Sequence, residues 1–348
     1  MASPVIGWDI GGAHVKAVML NAQGAVCKAM QHPCALWKGL HLLDEAVLHI
    51  LQAWQLRAED CAHAVTMTGE LVDLFACREE GVLAIADSVL RLLPRASFYA
   101  ASAEHAEFIV DVRGHAVHVA SMNWHASAQS IAQMSSHQTL IVVDIGSTTT
   151  DVTWCEGNQV QTSGWTDAAR MKFGGLLYTG VVRTPLMALG PWLNRQGKLQ
   201  HVAAEYFATT ADVYRVLGEL PPSDDMADTA DGQDKSALAT MRRLARMVGH
   251  DVDDATAPVW QTLAQDFKQQ QLDIMERTLQ QTLVMHAQSP VLVGLGAGAF
   301  LLPALAKRLD LVYQPVQDMI TAETTALQHL AGVCFPAYAV SRLWQTWH

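Results

Sequence analysis

The hydrophobic pattern opens on a buried strand. Residues 4–10 are almost wholly apolar and run into Gly11-Gly12, where the backbone must turn tightly. A second strand is predicted over 15–20. Asn21-Ala22-Gln23-Gly24 reads as a turn, and a third strand begins at 25–28. Strands joined this closely pair as an antiparallel meander. The period then changes: Leu43, Val47, Ile50, Leu51 and Trp54 recur at helical spacing, which predicts an amphipathic helix over 43–56 packed on the sheet. Another helix is predicted over 81–93, ended by Pro94, which cannot continue it.

The pattern then returns. Residues 139–147 form a second buried strand closing on a glycine turn, 150–155 the next strand, and 156–158 a turn matching 21–24. At an offset of 135, Asp9 falls on Asp144, Ile10 on Ile145, Gly11 on Gly146, Gly12 on Ser147 and Lys16 on Asp151. This is an internal duplication of a strand, turn, strand, turn unit. Downstream, the acidic segment 221–234 reads as a solvated surface loop and 269–288 as a long helix. A strand at 291–293 enters a glycine loop, followed by a helix over 299–309 and another over 321–330 capped by Thr321.

Composition narrows the function classes. Lys and Arg number 23 against 34 Asp and Glu, a net charge of −11 with no basic run, which speaks against a nucleic acid or an anionic membrane as partner. No run of roughly 18–20 apolar residues occurs, and no basic segment precedes Val5, so a cytoplasmic protein without membrane partner is expected. A chain of 348 residues suits about two domains, divided here into 1–136 and 137–348. The six cysteines lack any C-x-x-C pair and read as reduced core thiols. His115 and His118, if in a strand, face opposite sides, which argues against a transition-metal site.

The two Asp-Ile-Gly units carry the candidate chemistry. Glycine after a strand lets main-chain N–H groups approach an anion, and a carboxylate at the strand end suits Mg²⁺. The candidate phosphate-binding residues are Gly11, Gly12, Gly146, Ser147, Thr148 and Thr149; Thr150 continues the hydroxyl run, which as a bare pattern also fits a β-hairpin. Gly294, Gly296, Gly298 and Ala299 contain the G-x-G-x-x-A spacing of a dinucleotide fingerprint, but a Rossmann unit opens its domain and is followed by further β-α-β pairs. The same glycines serve equally as a loop under a nucleotide base.

The three glycine segments, in this order and spacing, resemble the phosphate-1, phosphate-2 and adenosine motifs of the actin, sugar kinase and Hsp70 superfamily. The resemblance implies an α/β, two-lobed actin-like ATPase (ribonuclease H-like) fold, with mixed sheets and an inter-lobe cleft. It would put the phosphate-1 loop in the N-terminal lobe and the phosphate-2 loop, substrate segment and residues 294–298 in the C-terminal lobe. Four longer stretches, 66–73, 120–126, 175–185 and 205–214, are similar to the short hydantoinase/oxoprolinase-like proteins of tetrahydromethanopterin-linked one-carbon metabolism. That family includes the synthase of archaeal methanofuran assembly. The resemblance implies a transferase of methylofuran biosynthesis. It would condense a small-molecule aminomethylfuran methyl diphosphate with a tyramine- or tyrosine-type phenol and release pyrophosphate.

On that implied reaction, Asp9 and Asp144 would hold Mg²⁺, and Lys16, otherwise an exposed strand lysine, would meet phosphate oxygens. Glu70, Asp151 and Asp212 are open alternatives for the general base. Arg183 would hold phosphate or a carboxylate, or be a surface arginine. Asn123 lies in a family-like stretch, and Trp124 and Tyr178 would stack on substrate rings or serve the core. ATP binding and a homodimer stay open. The rival readings are an ATP-dependent small-molecule kinase or hydantoinase/oxoprolinase-type hydrolase, and a nucleotide-gated, non-catalytic partner of one-carbon enzymes.

Overall fold

The computed structural model describes residues 4–135, 139–195, 197–286 and 288–348. Strands β1 (Val5–Ile10), β2 (His14–Leu20) and β3 (Val26–Pro33) form the antiparallel meander. Its second turn is closed by the Asn21 side chain, which accepts from the Gln23 and Ala25 N–H groups at 3.0 Å. Helix α1 (His41–Trp54) buries the apolar stripe read from the sequence. β4 (Ala62–Met67) lies parallel to β1, α2 (Arg78–Leu92) follows, β5 (Ala96–Ala101) lies parallel to β4, and β6 (Ala106–Ile109) returns antiparallel. The sheet order β3-β2-β1-β4-β5-β6 contains the 3-2-1-4-5 mixed arrangement of a ribonuclease H-like fold. Next come α3 (Ala116–Val119) and α4 (Asn123–Met134). The strand condition on His115 and His118 is not met, since the segment is a helical turn: Gly114 at φ 77 reverses the chain, and local i,i+3 and i,i+4 bonds replace sheet pairing.

The second half runs β7 (Thr139–Ile145), β8 (Thr150–Glu156), β9 (Gln159–Gln161), α5 (Asp167–Phe173), β10 (Leu176–Leu177), β11 (Trp192–Arg195) and β12 (Lys198–His201). It continues through α6 (Thr210–Leu217), α7 (Ala237–Arg246), α8 (Ala257–Val284), β13 (Val291–Leu295), α9 (Leu302–Arg308), β14 (Tyr313–Pro315), α10 (Thr325–Val333) and α11 (Phe335–Trp347). The second sheet has the order β10-β8-β7-β13-β14, with β9 beside β8. Helix α8 starts twelve residues before the expected 269, because Pro258 suits its first turn and Trp260, Leu263, Ala264 and Phe267 extend its buried stripe. No helix among the described residues is long and apolar enough to cross a membrane.

Three further expectations are corrected. Thr324, not Thr321, caps α10, its side chain accepting from Leu327 N–H at 3.2 Å. The backbone of 321–323 is instead pinned to Val26 of β3, whose N–H donates to the Thr321 carbonyl and whose carbonyl accepts from Glu323 N–H. The acidic segment 221–234 is not simply solvated. Asp225 takes two bonds from Arg215 at 2.6 and 2.9 Å, and Asp231 takes one from Arg243 at 3.0 Å. Of the cysteines, Cys77 is exposed and Cys27 half-buried, while Cys34, Cys61, Cys155 and Cys334 are buried.

Two compact units result: residues 1–142, 153–173 and 314–348 in the first, and 143–152 with 174–313 in the second. The expected division at 136/137 falls outside the described residues. Residues 139–142, 153–173 and 314–348, expected in a 137–348 lobe, fall in the first unit. Its C-terminal return follows from packing: α11 lies so close over β1 that a Cβ on Gly7 would stand 1.9 Å from the Ala337 carbonyl oxygen. Its core gathers Ile6, Trp8, Val65 and Phe98 from the sheet and Val47, Ile50 and Ile85 from α1 and α2.

Candidate active site

The duplication read at an offset of 135 is built into the backbone. Gly11 N–H donates to the His14 carbonyl at 2.9 Å, and Gly146 N–H to the Thr149 carbonyl at 2.9 Å. Leu36 N–H donates to Gly12 at 3.0 Å as Val182 N–H does to Ser147 at 3.1 Å. Thr68 N–H reaches the Ile10 carbonyl at 2.9 Å as Gly298 N–H reaches Ile145 at 2.8 Å. Each Asp-Ile-Gly turn is thus held by the same three bonds, one of its own and two from flanking segments. The first unit's counterpart of the loop after β13 is therefore the segment Thr68-Gly69-Glu70.

In the first unit, Asp9 and Lys16 are register partners on β1 and β2, with Nζ 3.9 Å from the Asp9 carboxylate and also donating to the Val333 carbonyl at 3.4 Å. Lys16 is half-buried, so the exposed-lysine alternative is set aside. Gly12 is required because a Cβ there would meet Val72 at 2.7 Å. Glu70 is 1% exposed on a short 3₁₀ turn, its backbone packed against Gly81 of α2, where a Cβ would lie 2.6 Å from the Glu70 carbonyl oxygen. Its Oε1 accepts from the Ser121 hydroxyl at 2.6 Å, while Oε2 is buried with no hydrogen-bond partner among the described residues. Ser121 itself is buried and holds φ 54, a left-handed conformation that a non-glycine residue adopts at a cost. Burial pushes the Glu70 carboxyl up to about 7, against the Ser121 hydrogen bond and Arg78; Asp167 adds to the rise.

Asn123 opens α4 and is half-buried. Trp124 is buried, and the Arg170 guanidinium lies 4.1 Å over its ring. That face is taken, which makes Trp124 a core aromatic rather than a stacking platform. Its neighbour Trp165 is half-buried, 6.1 Å from Trp124 and 5.2 Å from His125 between ring centroids. His125, whose pKa burial drives down to about 3, shares a 2.9 Å bond with the buried Tyr99 hydroxyl. Trp165, Ser121 and Arg78 carry no motif spacing of their own, and sequence reasoning assigned them nothing.

In the second unit the turn after β7 is gripped by two loops. A Cβ on Gly180 would stand 2.5 Å from the Ser147 and Thr148 backbone, and one on Gly296, at φ 86, would stand 2.3 Å from Asp144 Oδ1. Gly298 would collide with Ile145 at 2.3 Å. Close packing on the end of β7 therefore accounts for Gly296 and Gly298, while Gly294 packs against Leu302 and Tyr313. Gly180 is fixed from below: its carbonyl accepts from Thr210 and Gln271 at 2.9 Å, Gln271 also holds Thr179, and Tyr214 donates to Gln271. Residues 175–185 thus buttress the turn at 146–149. Tyr178 and Arg183 within them are exposed.

The three base alternatives separate clearly. Asp212 closes a capping box with Thr209, and its Oδ1 accepts from Arg243 and Arg215 at 2.8 Å each, so its oxygens are committed to the fold. Asp151 is half-buried on β8 opposite Leu176. Glu70 is a buried carboxyl raised to about 7 by its burial. Asp9, Gly11, Gly12, Lys16, Glu70, Asn123 and Trp124 belong to the first unit, and the remaining candidates to the second. No cluster of three or more His, Cys, Asp or Glu that could hold a metal ion occurs among the described residues.

The chain belongs to the hydantoinase/oxoprolinase family, whose model matches residues 62–323. Within that class it is 29% identical over 254 residues, 70% of this chain and 71% of the relative, to a (4-{4-[2-(gamma-L-glutamylamino)ethyl]phenoxymethyl}furan-2-yl)methanamine synthase of Methanocaldococcus jannaschii. A synthase of the same name from Methanococcus vannielii is 29% identical over 157 residues, 45% of this chain and 70% of that protein. Among solved structures, component A of the Acidaminococcus fermentans (R)-2-hydroxyglutaryl-CoA dehydratase aligns with a TM-score of 0.49 at 11% identity, covering 99% of this chain and all of that one. A glucokinase from Streptomyces griseus aligns at 0.48 and 15% identity, covering 98% of each chain.

Proposed function

We propose that this protein is a transferase of furan-cofactor biosynthesis, joining an aminomethylfuran methyl diphosphate to a tyramine- or tyrosine-type phenol with release of pyrophosphate. The observation that carries the reading is the kinship over 254 residues with a synthase whose named product contains a phenoxymethylfuran ether. In the reaction the phenol oxygen bonds to the furfuryl carbon, and the carbon–oxygen bond to diphosphate breaks with its electron pair leaving on pyrophosphate. The phenol proton goes to Glu70, whose pKa of about 7 suits proton transfer near neutrality. The furan oxygen stabilises the developing cation, so the protein's main task is to neutralise the leaving group. Lys16 and the Gly12 N–H suit that task, the Gly11 N–H being taken by the His14 carbonyl.

Asp9 and Asp144, each a carboxylate at a strand end, are each a candidate hard oxygen ligand for Mg²⁺, which is commonly held by one or two carboxylates together with substrate phosphates rather than by a protein cage. When bound it would neutralise charge on the departing diphosphate.

Phosphorus NMR with Mg²⁺ and the aminomethylfuran diphosphate, with and without the phenol, tests the reading beside an ATP-only control. Pyrophosphate formed only with phenol present is expected, and Asp144→Asn should abolish it with folding intact. ADP in the control without pyrophosphate in the other arms would replace this reading by a kinase or hydrolase. Silence throughout would favour a binding role.

A further inference from the structure

The first unit contains a pocket of about 400 Å³ whose wall includes Arg78, Glu79, Ala116, Ala120, Trp165 and Thr166. That volume lies within the range of small-molecule sites. Its chemistry is divided. The alanines and the Trp165 indole make an apolar, aromatic wall, and Trp165 is backed by the Trp124 and His125 rings, which fix its plane. Arg78 and Glu79 put one positive and one negative charge side by side at the start of α2. Arg78 Nη2 donates to Asp167 at 2.7 Å, while Nε and Nη1 have no hydrogen-bond partner among the described residues.

A second observation points to a ligand here. Glu70 is linked to two lining residues: Ser121, which donates to it, follows Ala120 in the chain, and the Arg78 charge acts on its carboxyl. This nine-tenths-buried carboxyl keeps an oxygen without a partner, and its donor holds a strained left-handed backbone. Such strain and an unsatisfied buried acceptor together are costly in stability and are found where a function requires them.

We propose that this pocket binds the phenolic acceptor, with the ring against Trp165 and a zwitterionic, amino-acid-type tail between Arg78 and Glu79. The assignment rests on the transferase reading for the ligand's identity, and on the pocket's own chemistry for its place. It makes Trp165, Arg78 and Glu79 the determinants of acceptor choice, distinct from the turns assigned to the diphosphate.

The test uses the full chain with γ-glutamyltyramine, tyrosine and tyramine as acceptors. Ala168→Trp, at an exposed position lining the pocket, fills it from the surface, and Trp165→Ala removes the ring platform. Each should raise the acceptor KM at least about tenfold while leaving the diphosphate KM within about twofold. Arg78→Gln, which removes the carboxylate's partner and leaves the ammonium's, should erase most of the preference for zwitterionic acceptors over tyramine. Acceptor KM values that stay within twofold in all three variants, or that rise in step with the diphosphate KM, would overturn the assignment even if the enzyme makes pyrophosphate. If the wild-type protein makes none, calorimetric titration with the three phenols decides. Binding that Ala168→Trp abolishes sustains the pocket although the reaction is wrong, and no binding by the wild type overturns it.

Discussion

Replacing Glu70 by Gln should strengthen the fold above neutral pH and remove turnover. The wild-type carboxyl is 1% exposed, and burial is the main cause that raises it from 4.5 to about 7, opposed by the Ser121 hydrogen bond and the Arg78 charge and assisted by Asp167. Between those two values the folded protein holds a proton that the unfolded chain has released. The stability contributed by the neutral carboxyl is therefore complete below pH 4.5 and lost as pH rises through 7. At about 1.4 kcal/mol per pKa unit the loss comes to roughly 3 kcal/mol. Glutamine has no charge to bury. Urea unfolding should find the variant close to wild type at pH 5 and more stable by up to about 3 kcal/mol at pH 8.5. The same variant should lose a factor of about 10²–10⁴ in turnover if Glu70 accepts the phenol proton. A stability difference that does not change with pH would refute the burial argument, and turnover within a few-fold of wild type would remove Glu70 from the chemistry.

Ser121→Ala deletes the donor that lowers the Glu70 pKa, so the acid limb of the rate–pH profile should move to higher pH; an unmoved limb would separate the two residues. Asp212→Asn takes away the carboxylate shared by Arg243 and Arg215 and should cost about 3–5 kcal/mol in denaturation while kcat of the folded fraction holds. Lost turnover at unchanged stability would return Asp212 to the list of bases. Gly180→Ala forces a Cβ to within 2.5 Å of the phosphate-2 turn and should raise the diphosphate KM and lower Tm, and wild-type values for both would show that the buttress yields. Thr324→Ala should cost about 1 kcal/mol and Thr321→Ala only a few tenths, as thermal unfolding would register; the reverse order would contradict the observed cap.

The chain's own pattern determined the elements whose signals are local. The β1–β3 meander, the α1 stripe and the repeated Asp-Ile-Gly turn at an offset of 135 were legible because period, turn residues and glycine demand no distant partner. The Thr321 cap and the solvated 221–234 loop failed for the opposite reason. Both segments have partners in other elements, Val26 of β3 in one case and Arg215 of α6 with Arg243 of α7 in the other. The helix at His115 and His118 turned on Gly114 and local bonds rather than on strand pairing.

The candidate site divides in the same way. Asp9, Gly12 and Asp144 follow from strand-and-turn logic, whereas the rank order of Glu70, Asp151 and Asp212 does not. One carboxylate looks like another in sequence. Only the tertiary structure put two arginines on Asp212 and left Glu70 dry beside a strained Ser121, because desolvation and charge pairing depend on segments dozens of residues away. Likewise only packing showed that Gly180, Gly296 and Gly298 are glycines so that two loops can lie against one strand end.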